Sequence, residues 1–356
     1  MGAKEDLAKF KKTLDRELKK YLGQKVKEAA KVSPYSKELM DHIYDLTLRG
    51  GKRIRAALLY YSYVAHGGKN YKEALRAAMS MEMAETYLLI HDDIMDDDNL
   101  RRGGITIHES YKLLAEEKFP SKINPGHLGL CAGMLAGNIA SALSNEIITD
   151  LRINNTYKNR SLNELNKIYS TENIGQLLDI FSEIRDDVTK EDVIQVQEMK
   201  TVPYTFDGPI KIGAILAGAD DKAVKQLEKY SYPLGTAFQI QDDILGMFGS
   251  EEKLGKPVTS DLKEGKKTLL ILDALEKATP AQRGKILANL GNKRVGVNGL
   301  MQVRRIIEQT GSLEYSKKLA ENLVKKSIKS LNGMSLQKEG KDFMLKIADY
   351  MVKRDY

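Results

Sequence analysis

Two apolar runs patterned as helices each end in paired carboxylates, and these endings restrict the possible folds of this chain more than anything else in it. The run Met81-Glu82-Met83-Ala84-Glu85-Thr86-Tyr87-Leu88-Leu89-Ile90 leads into His91-Asp92-Asp93-Ile94-Met95-Asp96-Asp97-Asp98. A second apolar run closes in Phe238-Gln239-Ile240-Gln241-Asp242-Asp243-Ile244-Leu245-Gly246. On a helix, Asp92 and Asp96 share one face, one turn apart. Like charges at that spacing cost a few tenths of a kcal/mol even when solvated. Next to a buried segment the cost rises unless a cation stands between them. Mg²⁺ is such a cation: it is hard, prefers oxygen, and usually takes one or two carboxylates plus substrate phosphate.

The rest of the chain carries the same helical period. Leu7, Phe10, Leu14, Leu18 and Leu22 recur at three- and four-residue spacing. Similar patterns run through 72–96, 128–150, 162–183, 190–199, 210–217, 221–246, 269–277 and 315–331. Breaks fall at Arg49-Gly50-Gly51, Gly67-Gly68, Arg102-Gly103-Gly104, Gly255-Lys256-Pro257 and Gly291-Asn292. No sustained two-residue alternation is bounded by hairpin turns, so no sheet is expected. No repeat or low-complexity linker divides the chain. One all-α domain spanning residues 1–356 follows, with peripheral helices at both ends.

With 56 Lys and Arg against 49 Asp and Glu, the net charge is +7. That balance suits phosphorylated small molecules, anionic lipid or nucleic acid alike. The cations are scattered, with few aromatics between them to stack bases, which argues against nucleic acid. The lone cysteine, Cys131, excludes an intrachain disulfide, fits a reducing cytoplasm, and reads as a core residue. No signal-type apolar stretch opens the chain. The most apolar window, 128–143, carries Asn138, Ser141 and three glycines, so it reads as a buried helix and not a transmembrane segment.

Basic residues gather where a polyphosphate would need them. Arg101-Arg102 follow the first acidic cluster by one turn, and guanidinium forks match phosphate oxygens. Lys200-Thr201 close another helical run, and Gly50-Gly51-Lys52-Arg53-Ile54-Arg55 form a further basic point. After the second cluster, the loop 249–268 holds Lys256, Asp261 and Lys266, the composition of a phosphate lid. Gly265-Lys266-Lys267-Thr268 has the ending of a P-loop, but position 260 is Ser where that motif needs Gly, and no strand precedes it.

In this order, Gly50-Gly51-Lys52-Arg53, Leu89-Ile90-His91-Asp92-Asp93-Ile94-Met95-Asp96, Arg101-Arg102-Gly103, Gly175-Gln176, Lys200-Thr201, 235–246 and 255–268 resemble the trans-isoprenyl diphosphate synthases, short-chain archaeal type, over roughly residues 40–330. The resemblance implies a single-domain isoprenoid synthase fold, helices around a deep central cavity, and a homodimer. It implies Mg²⁺-dependent, head-to-tail condensation of isopentenyl diphosphate with an allylic diphosphate through an allylic carbocation. Asp92 and Asp96 would bind metal from one side and Asp242 from the other, supported by Asp93 and Asp243; about three Mg²⁺ ions, or Mn²⁺, would serve. Arg101, Lys200, Lys256 and Lys266 would hold the allylic diphosphate, and Lys52, Arg53 and Arg102 that of isopentenyl diphosphate. Thr201, Gln239 and the carbonyl near Lys200 would offer dipoles to the cation.

Three positions depart from the family pattern. Gly246 stands where many members have a third aspartate, Asn138 where Asp is frequent, and Glu85 where His or Gln commonly faces isopentenyl diphosphate. A carboxylate at residue 85 should repel phosphate unless it is protonated or paired. Tyr87, five residues before Asp92, projects below the metal site and would block a growing chain. Together with the non-aromatic Leu88, this suggests geranylgeranyl diphosphate (C20) as product. Farnesyl diphosphate (C15) synthesis, or a non-catalytic subunit of a heteromeric synthase, are the alternatives.

Overall fold

The computed structural model describes residues 2–249 and 258–352. Lys256, expected at the allylic diphosphate, lies outside them. Helix α1 (Ala3–Ala30) buries Leu7, Phe10, Leu14, Leu18 and Leu22, the stripe read from the sequence. Next come α2 (Pro34–Leu48), α3 (Ile54–Ala65), α4 (Tyr71–Met95), α5 (Ile107–Lys118), α6 (Pro125–Thr149) and α7 (Asn155–Ile184). Helix α8 (Lys190–Val196) runs through two π-helical turns, Gln197–Thr201 and Pro203–Asp207, into α9 (Gly208–Leu216); α10 (Asp221–Gln226) and α11 (Glu228–Phe248) follow. Beyond residue 258, the longest helices are Val297–Gln309, Ser312–Asn332 and Lys338–Val352.

Helices α3, α4, α6, α7 and α9 close a ring, each packed on the next, with α9 returning to α3. Helix α11 lies against the π-helical turns and is backed by Ser312–Asn332. Within this ring α4 is buried almost continuously from Ala77 to Leu88, so its charged end at Asp92 is anchored on rigid core.

The π-helical turns have a covalent cause. Pro203 and Pro209 lack the N–H that an α-helix would use, and the helix opens instead of ending. The N–H of Val202 bonds to the Gln197 carbonyl, and that of Gly208 to the Pro203 carbonyl, each five residues back. Such wide turns frequently mark functional sites. Gly175 on α7 lets this helix come close: a Cβ there would collide with the backbone at Lys200.

Two details depart from the sequence reading. A short antiparallel pair, β1 (Leu100–Arg101) and β2 (Gly104–Ile105), is present although no sheet was expected. Its two turn residues, Arg102 and Gly103, both have positive φ, 53° and 74°, as the tightest hairpins require. Two residues per strand are too few for an alternation to be visible. The second departure is α6. It packs against α4 and α5 on one face, but Leu130, Met134 and Leu135 are exposed on the other, and Cys131 is only half-buried. On α7, Ile174, Leu177, Phe181 and Ile184 are exposed too. Helix α6 is the one described helix long and apolar enough to cross a membrane by length and composition.

Candidate active site

At the end of α4, Asp92 lies under two donors and beside a third. Its Oδ1 accepts from Gln176 Nε2 at 3.2 Å and lies 3.7 Å from Lys200 Nζ; its Oδ2 is 3.3 Å from Arg101 Nη2. Arg101, carried by the hairpin, also donates to Asp93, and to Asp98 at 3.0 Å. Asp93 is buried, and its second oxygen, Oδ2, has no partner. Burial pushes its carboxyl up to about 7, against the pull of Arg101. Asp96, one turn beyond Asp92, caps the helix.

Lys200 joins this end to the second one. Its ammonium donates to Asp179 at 2.6 Å and lines a cavity of about 220 Å³ together with Thr201, Gln239, Asp242, Asp243, Asp261 and Lys266. Burial would lower the Lys200 pKa, but Asp179 and Asp92 outweigh it and hold the group charged. Thr201 Oγ1 donates to Gln239 Oε1 at 2.9 Å, and Gln239 Nε2 donates to Asp243 at 2.9 Å. Gln197 reaches the other Asp243 oxygen at 3.4 Å. Burial, with Asp242 and Asp261 nearby, pushes Asp243 up to about 8. Lys266 pairs with Glu264 at 3.0 Å. The absent third aspartate at position 246 has a spatial counterpart: a Cβ on Gly246 would collide with the Asp261 carboxylate.

The basic point after α2 splits into two roles. Arg53 is turned inward and is 2% exposed, its guanidinium spent on Glu82 at 2.6 Å, Asp15 at 2.8 Å and the Thr47 carbonyl at 2.9 Å. Arg55 sits 4.0 Å over the Tyr204 ring, donates to the Tyr204 hydroxyl and to Thr205, and pairs with Glu85 at 3.1 Å. Arg102 reaches the same Glu85 oxygen at 2.7 Å. A Cβ on Gly51 would lie 3.3 Å from Arg53 Nη1 and 3.6 Å from both terminal nitrogens of Arg102. Lys52, next in sequence, is exposed. Glu85 is therefore paired. Burial favours its neutral form, but Arg55 and Arg102 prevail and lower its pKa.

Comparisons with known proteins decide the family. The family model described as polyprenyl synthetase matches residues 36–307. The chain belongs to the polyprenyl synthetase family. It is a prenyltransferase of isoprenoid biosynthesis. It is 34% identical to the geranylgeranyl diphosphate synthase of Sulfolobus acidocaldarius, covering 89% of this chain and 91% of that one. It is 35% identical to that of Saccharolobus solfataricus with the same coverage. Among solved structures, geranylgeranyl pyrophosphate synthase from Corynebacterium glutamicum, complexed with isoprenyl diphosphate and magnesium, superposes with a TM-score of 0.90 at 28% identity, covering 98% of this chain and 99% of that one.

The donor set of this polyprenyl synthetase suits a hard cation. Asp93 Oδ2 is orphaned and buried, and the Asp93 and Asp243 carboxyls are raised by burial, the condition that a nearby divalent ion would reverse. Among the described residues no group of three or more His, Cys, Asp or Glu side chains converges to hold an ion alone. That pattern fits Mg²⁺, which completes its shell with phosphate and water.

Below Asp92, Tyr87 is 8% exposed, and its hydroxyl exchanges hydrogen bonds with the Asn173 side chain at 2.9–3.2 Å. Its ring meets His91 and Tyr169 edge-on, at centroid distances of 4.8 and 5.1 Å. Asn173 and Asp179 are members of the site that sequence reasoning passes over, whereas Arg55 and Asp261 lie in motifs that it singles out without giving them a role of their own. Asp179 and Gln176 share a face of α7 at three-residue spacing, which is the one signal available for it.

Proposed function

We propose that this prenyltransferase elongates an allylic diphosphate with isopentenyl diphosphate and stops at geranylgeranyl diphosphate. The observation that carries the length is the ring cluster of Tyr87, His91 and Tyr169 beneath Asp92, with the Tyr87 hydroxyl tied to Asn173. In this reading Asp92, Asp96 and Asp242 hold about three Mg²⁺, for which Mn²⁺ could substitute, and Asp93 and Asp243 support them. Bound metal would supply charge stabilisation at the leaving diphosphate. Arg101, Lys200 and Lys266 neutralise the same group, as does Lys256. Thr201 and Gln239 turn their oxygen dipoles toward the allylic cation. Their mutual hydrogen bond, anchored on Asp243, fixes those dipoles before substrate arrives. Lys52, Arg55 and Arg102 receive isopentenyl diphosphate; Arg53 supports them from its buried ion pairs. The isopentenyl double bond attacks the cation, and the released diphosphate takes the proton.

Two further parts of the reading concern the molecule as a whole. The exposed apolar faces of α6 and α7 are suited to a second copy, giving a homodimer. The single cysteine agrees with a cytoplasmic setting. Incubation with isopentenyl diphosphate, an allylic diphosphate and Mg²⁺ tests the function. Release of inorganic diphosphate with a C20 product supports it. A C15 or longer product overturns the length, and no release at all overturns the catalytic assignment in favour of a non-catalytic subunit.

A further inference from the structure

Glu85 is a carboxylate placed inside a cluster otherwise made to receive an anion. One of its oxygens, Oε1, is shared by Arg102 at 2.7 Å and Arg55 at 3.1 Å, and the residue is 9% exposed. The third guanidinium of the cluster, Arg53, is already neutralised by Glu82 and Asp15. Arg55 and Arg102 are thus the guanidinia left for a diphosphate, and one internal carboxylate draws on both.

That carboxylate could serve either to position the two arginines or to compete for them, and the other contacts decide between these. Arg55 is held without Glu85, by the Tyr204 ring and hydroxyl and by Thr205 Oγ1 at 3.0 Å. Arg102 sits in the two-residue hairpin turn, with its Nη1 3.5 Å from the Arg49 carbonyl. Both have anchors of their own, so removing the charge at residue 85 leaves them placed and less neutralised. We propose that Glu85 is a built-in counter-anion that weakens the grip of Arg55 and Arg102 on isopentenyl diphosphate. The inference rests on the reading of this cluster as the isopentenyl diphosphate site.

The test is Glu85→Gln, which keeps the shape and a hydrogen-bond acceptor and removes the charge. Equilibrium binding of isopentenyl diphosphate and of inorganic diphosphate to the full chain, without Mg²⁺, should tighten by about tenfold. In turnover, KM for isopentenyl diphosphate should fall, with KM for the allylic substrate unchanged. In an Arg102→Met background the gain should shrink. Glu85→Met, similar in volume, gives a second reading should the first variant fold poorly. Unchanged or weaker binding in the folded variants overturns the proposal, because a positioning carboxylate would give that result. A wild-type chain that binds diphosphate but makes no prenyl product would instead overturn the functional reading, leaving the Glu85 measurement intact.

Discussion

The carboxylate of Asp261 occupies the space that a side chain on residue 246 would need. A third carboxylate thus stands beside the second acidic pair from the short helix Ser260–Glu264 and not from the pair's own helix. Gly246→Asp, which would restore the usual aspartate pattern in sequence, should be harmful here. It forces two carboxylates together and overpacks the contact, a cost of about 1–3 kcal/mol before any charge repulsion. We expect a lower Tm and at least a tenfold loss of kcat, on the order of 1.4 kcal/mol. Gly246→Asp combined with Asp261→Gly should recover part of both. Recovery would be read by diphosphate release, and its absence would mean that Asp261 has a separate task.

Arg53 and Arg102, alike in the sequence, should separate on mutation. Arg53→Met leaves Glu82, 1% exposed, as a buried charge without its guanidinium. Such a break costs about 3–5 kcal/mol, so chemical denaturation should show a large drop in stability. Arg102→Met leaves the buried Glu85 still paired with Arg55 at 3.1 Å, and should leave stability nearly intact while raising KM for isopentenyl diphosphate.

The sequence reveals periodic things well and folded-together things poorly. The helices of the ring, the stripe on α1, and Asp92 with Asp96 on one helix end all follow from three- and four-residue spacing. Which of Arg53 and Arg55 points into the site does not, because Gly50, Gly51 and Arg53 all take positive φ and turn the chain before α3 begins. Asp261 under Gly246 and Glu85 between two arginines are contacts across long sequence separation. The open face of α6 is hidden for another reason: in sequence, an apolar stripe left exposed reads the same as one facing the core.

Tyr87→Ala should lengthen the product by one or more isoprene units, because it removes a ring from the cluster beneath Asp92. Asn173→Leu should loosen the same barrier more weakly, since a net hydrogen bond contributes about 1 kcal/mol. Chromatography of the reaction products checks both. An unchanged product in Tyr87→Ala would put the stop elsewhere.

Asp92→Ala should abolish turnover without unfolding the chain. Asp92 is partly exposed in the last turn of its helix, so its loss removes contacts to Gln176, Arg101 and Lys200 but no core packing. Loss of diphosphate release with a Tm within a few degrees of wild type is the expected pair of results.

Charges placed on the open apolar faces should dissociate the proposed dimer. Leu135, 57% exposed on α6, and Phe181, 48% exposed on α7, are the positions to change to Glu. Sedimentation velocity should then show a monomer where the unmodified chain sediments as a dimer.

Tyr87 and Asp92 belong to one helix, and that has a consequence for how product length can change. A helix rises about 1.5 Å per residue, so on the proposed reading of Tyr87 as the stop, the gap between it and Asp92 is a fixed count of residues on a rod that does not stretch. Lengths are consequently gained or lost by whole side chains, each clearing or filling a step along the rod. Sliding α4 to make room would carry Asp92 away from Lys200 and Gln176. On that reading, product length would be recalibrated by substitution at the floor and not by loosening the shaft on which the scale is marked.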